Sequence, residues 1–254
     1  MSETGSLTGK HALVTGGGTG IGLAIAEALA AEGAEVTITG RRADVLEKVA
    51  GGRLHAQQMD VADEASVVDG TAAAVAARGP VQICVANAGI AEGKTLQKTD
   101  LDFWRKVMAI NLDGAFLTIR ESMRSMSETD WGRVIAVSSI AGLHGLKGAG
   151  AYSASKHGVL GLIRTYSEEY LGTGFTFNSL CPGYVETDIV RQQAVSIAER
   201  TGQSVEDARG YMASANRHKT LIQPEEVAAA ALWLCRPGSE SVNGIEVPIA
   251  GGKI

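Results

Sequence analysis

The chain has 254 residues, 23 Lys and Arg against 28 Asp and Glu, and a formal net charge of -5, with 45% apolar and 20% charged residues. That balance is ordinary for a globular protein, and the lack of a basic stripe argues against a nucleic-acid binder. Glycine is the outlier at 32 residues, but with 5 prolines and no collagen period the chain reads as neither fibrous nor disordered.

Taken in chain order, the hydrophobic pattern first places a buried strand at His11–Thr15. A helix over Gly20–Glu32 follows, with Ile21, Ala24, Ile25, Ala28 and Leu29 on one face. Glu35–Thr39 is a second strand, rich in β-branched residues, and Ala43–Ala50 a short helix. Leu54–Met59, Val81–Ala86, Arg133–Ser138, Phe175–Leu180 and Val242–Ile249 read as five further strands. Between them lie helices at Glu64–Arg78, Asp100–Ser127, Ala151–Leu171 and Pro224–Cys235, the last with Pro224 at its start and Glu225 and Glu226 in its first turn. This alternation predicts a single-domain α/β fold of the Rossmann type, a doubly wound seven-stranded parallel sheet with helices on both faces. The stretch 188–219 breaks the rhythm with helical patches and no strand, and is expected to be a lid over a binding cleft or a plain surface hairpin.

Cys84, Cys181 and Cys235 have neither metal nor disulfide spacing, so no metal site is expected. Met1–Lys10 is polar, and no apolar run approaches the roughly 18 residues of a membrane helix. The expectation is a cytoplasmic protein with no membrane partner.

Two segments carry chemistry. Thr15-Gly16-Gly17-Gly18-Thr19-Gly20-Ile21-Gly22 lies where the first strand becomes the first helix. Glycines there let the backbone approach a pyrophosphate, and the helix N-terminus offers free N–H groups. The spacing differs from G-x-G-x-x-G, and a tight turn with close helix packing would use the same residues. At the end of the second strand stands Gly40-Arg41-Arg42 where an acidic residue would select NAD. Arg41 suits a 2′-phosphate, so NADP(H) is favoured over NAD(H), unless the pair is merely solvated. Asp60-Val61, after the third strand, suits the adenine amino group or a helix-capping turn. The second segment holds Tyr152 and Lys156 at i and i+4, on one helix face. A lysine ammonium beside a phenol favours the phenolate, giving an acid/base suited to a carbonyl or carbinol oxygen. Ser139 stands thirteen residues earlier, at the carboxyl end of a strand, where open α/β sheets bind ligands.

Thr15–Gly22, Asn87-Ala88-Gly89, Asn111, Ser139 with Tyr152 and Lys156, and Pro182-Gly183 with Thr187 occur in this order. Through these motifs the sequence resembles the short-chain dehydrogenase/reductase family over nearly its whole length. The resemblance implies an NAD(P)(H)-dependent oxidoreductase interconverting a ketone and a secondary alcohol. Tyr152 would be the proton donor or acceptor, Ser139 would hydrogen-bond the substrate oxygen, and Lys156 would bind the nicotinamide ribose and tune Tyr152. Asn111 would hold a water linking Lys156 to solvent. Asn87 and Gly89 would line the adenosine side, and Val185 and Thr187, beyond Pro182-Gly183, would contact the carboxamide and phosphates. Thr19 departs from the basic residue that many NADP-dependent members carry in the turn, and Ala86 replaces a first asparagine. His144, in the loop after Ser139, and Tyr184 are candidate substrate contacts. Ile189, Val190 and Ile197 suggest an apolar lining, hence a hydrophobic ketone or a 3-oxoacyl group. The two long helices imply a homotetramer, or a homodimer. Two other functions share some of these motifs: a catalytically silent dinucleotide sensor, which would be expected to lose Tyr152 or Lys156, and a nucleotide-sugar epimerase, which usually carries an added C-terminal domain.

Overall fold

A computed structural model describes residues 5–252. Seven strands form one sheet in the order β3-β2-β1-β4-β5-β6-β7, and every neighbouring pair is parallel. They are β1 (His11–Thr15), β2 (Glu35–Gly40), β3 (Leu54–Gln58), β4 (Ile83–Ala86), β5 (Gly132–Val137), β6 (Phe175–Pro182) and β7 (Glu246–Ile249). Every residue of β1, β4, β5 and β6 is buried, as expected for strands covered on both faces.

Alternate strand residues feed two separate cores. Val14, Ile83, Val85 and Ile135 pack with Ile25 and Leu29 of α1 (Gly20–Ala31) and Val227 and Ala231 of α9 (Pro224–Cys235). Leu13, Cys84, Val134 and Ala136 pack on the other face. Their partners are α3 (Glu64–Arg78), α5 (Gly114–Met126) and α6 (Gly150–Glu169). The short α2 (Ala43–Val49) follows β2. The strand order reverses between β1 and β4, which opens a crevice above their carboxyl ends.

The structure departs from the sequence expectations at one helix and one strand start, and gives the 188–219 segment its form. The helix expected over 100–127 is α4 (Leu101–Met108), a π turn at Ala109–Asp113, and α5. Strand β7 starts at Glu246 rather than Val242, because Asn243-Gly244 forms a turn. Asn243 Oδ1 accepts from Phe177 N–H at 2.7 Å, and Gly244 has a φ of +74°. The 188–219 segment is a well-formed hairpin of α7 (Asp188–Thr201) and α8 (Val205–Ala215). Thr187 and Ser204 cap its two helices, and Gly202 ends the first in the left-handed region.

Candidate active site

The glycine-rich turn lies at the β1 end of the crevice. Gly17 N–H is bonded to Thr39 O, and the first intrahelical bond of α1 runs from Leu23 N–H to Thr19 O at 3.2 Å. The N–H groups of Gly20, Ile21 and Gly22 precede that bond, and the exposed Thr19 side chain does not cap them. A Cβ on Gly22 would fall 2.3 Å from Gly16 O, so strand and helix close on each other through that contact. Thr187, at the start of α7, packs over Gly20. The cradle therefore fits a dinucleotide pyrophosphate: free donors, a helix N-terminus and no side chain in the way.

Asn87 holds this cradle rather than standing free in the cleft. Its Nδ2 donates to Thr15 O at 2.9 Å, and its own N–H donates to Thr15 Oγ1 at 3.0 Å. Gly89 lies at the other end of the site, where a Cβ would meet Asn111 Oδ1 at 3.2 Å and Lys156 Nζ at 3.6 Å. The side chain of Asp60 makes an Asx turn to Ala62 N–H at 3.1 Å, and Val61 is buried against Gly114. Arg41 is exposed at the end of β2, its carbonyl held by Gln58 Nε2 at 2.9 Å.

At the carboxyl end of β5 the chain turns through Ser139, whose Oγ accepts from Ala141 N–H at 3.1 Å and faces Pro182 O at 3.5 Å. The preceding Ser138 is turned inward, donating to Lys156 O at 3.1 Å. Tyr152 and Lys156 share the inner face of α6, with Lys156 Nζ 5.8 Å from the Tyr152 ring centre. Lys156 is 5% exposed and donates to Val137 O at 2.8 Å. Burial pulls its ammonium down to about 8.

The electrostatics differ from the sequence expectation. Burial pushes the Tyr152 phenol above its ordinary value, opposed by the Ser139 hydroxyl and reinforced by the nearby Tyr184. In the free chain desolvation sets the direction of the shift, and Tyr152 holds its proton. The folded chain binds the Lys156 proton less well than the unfolded chain, so the fold bears a penalty below about pH 8 that fades toward 10.5. A Lys156→Met variant should melt at or above the wild-type temperature at pH 7, with the difference shrinking as the pH rises through that window. Thermal melts at several pH values check this; a difference that grows with pH would contradict it.

Asn111 sits in the π turn and is 1% exposed. Its Oδ1 accepts from Ile90 N–H at 2.8 Å, and its Nδ2 donates to Ile90 O at 3.0 Å and Ser155 Oγ at 3.1 Å. The amide thus clamps the loop after β4 onto α6. Val185 forms a bridge with Ile222, and its side chain is buried in the core, leaving only its main chain for a ligand. Gly183 N–H donates to Ile249 O at 2.9 Å.

On the substrate side, His144 is exposed in the loop beyond Ser139, and Tyr184 is half-buried. The apolar residues expected to line the pocket point elsewhere. Ile189 is exposed, and Val190 and Ile197 pack into the hairpin's own core with Ala194, Ala208 and Met212. Beyond Gly89, the loop after β4 continues through Ala91–Gly93, residues that carry no motif, and packs against α7 and the loop before α6. Gln193 of α7 donates to Ala91 O at 2.5 Å, and a Cβ on Gly93 would fall 2.6 Å from Gly148 O.

A family model for short chain dehydrogenases matches residues 10–196. The chain belongs to the short-chain dehydrogenase family. This short-chain dehydrogenase is 34% identical to D-beta-hydroxybutyrate dehydrogenase of Cupriavidus necator, over 98% of this chain and 99% of that one. It is 33% identical to the 3-oxoacyl-[acyl-carrier-protein] reductase of Mycobacterium tuberculosis, over 96% and 92% of the two chains. The crystal structure of a single-residue variant of actinorhodin polyketide ketoreductase with NADPH superposes with a TM-score of 0.92, at 32% identity and 96% coverage of both chains. The short-chain dehydrogenase is accordingly an NAD(P)-dependent oxidoreductase acting on the C=O/CH–OH pair, on the Rossmann-type fold expected from its sequence. Among the described residues, no helix is long and apolar enough to cross a membrane.

Proposed function

We propose that this enzyme reduces the oxo group of a 3-oxoacyl compound, or oxidises the matching 3-hydroxy compound, with NADP(H). The observation that carries the proposal is the placement of Ser139, Tyr152 and Lys156 around one end of the crevice whose other end is the glycine cradle. When bound, the nicotinamide supplies or accepts the hydride. Ser139 hydrogen-bonds the substrate oxygen. Tyr152, kept protonated by burial, gives its proton to that oxygen as charge develops on it during reduction. Lys156 binds the nicotinamide ribose, and Asn111 fixes α6 and the Ile90 loop around the site. Gly16, Gly20, Ile21, Gly22, Thr19 and Thr187 hold the phosphates, and Asp60 and Val61 border the adenine.

The substrate class rests on the names of the two relatives, both of which act on a three-position oxygen of an acyl chain. Arg41 supports NADP(H): it follows the last residue of β2, is exposed, and makes no ion pair among the described residues. The α7–α8 hairpin serves as the lid, and the exposed His144 and half-buried Tyr184 border the substrate. Self-association through α5 and α6 into a homotetramer or homodimer follows from the family resemblance.

The experiment is a panel of ketones, secondary alcohols and 3-oxoacyl thioesters run with NADH and NADPH in parallel, on wild type and Arg41→Ala. Arg41→Ala should weaken NADPH binding about tenfold or more and NADH binding by less than about twofold. Equal losses for both cofactors would remove the 2′-phosphate role, and no turnover of any 3-oxoacyl compound would remove the substrate class.

A further inference from the structure

One buried polar side chain reaches the wall of the cleft from the far end of the α7–α8 hairpin. Asn216 follows α8, is 1% exposed, and uses its whole carboxamide. Oδ1 accepts from Tyr184 N–H at 2.9 Å, while Nδ2 donates to Tyr184 O at 2.9 Å and to Thr220 O at 2.7 Å. A single side chain thus engages both main-chain polar groups of Tyr184, as a neighbouring strand would. Ile222 N–H also donates to Tyr184 O at 3.0 Å, and Glu186 N–H to Ile222 O at 2.8 Å. Residues 184–186 are therefore held in register by the segment 216–222. Gly183 completes the fit, since a Cβ there would fall 2.2 Å from Asn216 Oδ1. The half-buried Tyr184 ring packs on the hairpin core, and its turn borders the site, since Pro182 O, two residues earlier, lies 3.5 Å from Ser139 Oγ; the Tyr184 phenol also opposes the ionisation of Tyr152.

We infer that Asn216 is a positioning residue for the reaction: from the end of the hairpin it fixes the main chain of Tyr184, and so sets where the Tyr184 side chain meets the substrate beside Tyr152. This rests on the active-site role proposed above for Tyr152. The amide is chemically specific. An apolar side chain of the same size would strand the N–H of Tyr184 and leave its C=O with Ile222 N–H alone, and a carboxylate would keep the acceptor but lose both donors.

The test is a double-mutant cycle in the full-length enzyme, with Asn216→Ala, Tyr184→Ala and the pair combined. Asn216→Ala should lower kcat/KM for the ketone about tenfold or more, chiefly through KM, with NADPH affinity within about twofold of wild type. In the Tyr184→Ala background it should cost less than about twofold more, because the two residues act as a unit. Asn216→Asp should fall between wild type and Asn216→Ala. Gly183→Ala disturbs the same contact from the other side and should reproduce the KM rise, so the test stands even if Asn216→Ala fails to fold. Additive losses, an equal loss of cofactor affinity, or an unchanged kcat/KM would overturn the inference. Those outcomes in an enzyme that Tyr152→Phe still silences would leave the active-site proposal intact; full activity of Tyr152→Phe would overturn that proposal instead.

Discussion

Replacing Tyr152 with Phe is expected to lower kcat for ketone reduction by about 10³-fold while leaving NADPH affinity within about twofold. The substitution removes one hydroxyl and keeps the ring, so the packing of α6 is preserved. Among the described residues, Tyr152 is the acid that shares the inner face of α6 with Lys156 at the Ser139 end of the crevice. His157 points its Nδ1 back to Ser153 O at 2.9 Å, and His144 is exposed in a loop. Cys181 is buried beneath the site with its thiol pushed up to about 12. Because burial also raises the Tyr152 pKa, its acid form dominates at neutral pH. Reduction should therefore be flat with pH around neutrality, and oxidation, which needs the phenolate, should speed up toward alkaline pH. Steady-state kinetics in both directions, with cofactor binding measured alongside, check these outcomes. Retained turnover in Tyr152→Phe would take Tyr152 out of the mechanism.

Gly22→Ala is expected to cost both stability and cofactor. The new Cβ would meet Gly16 O at 2.3 Å and Asn87 Nδ2 at 2.5 Å, so the first glycine of the cradle or the Asn87 clamp must move. Overpacking of this kind costs about 1–3 kcal/mol, and here the displaced backbone is the one that receives the pyrophosphate. Affinity for either cofactor should fall about tenfold or more. Gly161→Ala in α6 is the control. A Cβ there meets nothing within 4 Å, and alanine in a helix interior is favoured by about 0.5–1 kcal/mol. Thermal melts and binding titrations on the two variants separate the effects. Wild-type cofactor affinity in Gly22→Ala would show that the turn does not carry the phosphates.

Much of this was legible in the sequence because it depends on local patterns. Apolar runs such as VQICVA report strands buried on both faces, and strand–helix alternation permits few topologies other than this one. The i, i+4 spacing put Tyr152 and Lys156 on one face, and the strand-end position of Ser139 put it at the same edge. The caps Thr187, Gly202 and Ser204 were also legible, and reading them would have resolved the hairpin into two helices. Asn243-Gly244 was a turn signal that should have shortened β7.

Other features had no local signal. The π turn shifts the helix register by one residue over Ala109–Asp113, a slip that hydrophobic spacing does not reveal, and it is this slip that carries Asn111 inward. The sign of the Tyr152 shift depends on how far burial outweighs a neighbouring charge, which spacing alone does not contain. Asn216 lies 32 residues from Tyr184, and nothing in its own segment marks it as a partner. The apolar residues of α7 were read as pocket lining, although the hairpin needs them for its own small core.

Transfer of label from the cofactor tests the central claim most directly. NADPH carrying deuterium at both hydrogens of its reactive carbon is incubated with the wild-type enzyme and a 3-oxoacyl thioester, and the product is examined by mass spectrometry. The account predicts a single deuterium on the new carbinol carbon, formed by the wild type and not by Tyr152→Phe. Tight NADPH binding without any labelled alcohol, across the full panel of ketones, would contradict it and leave a dinucleotide-binding protein without turnover.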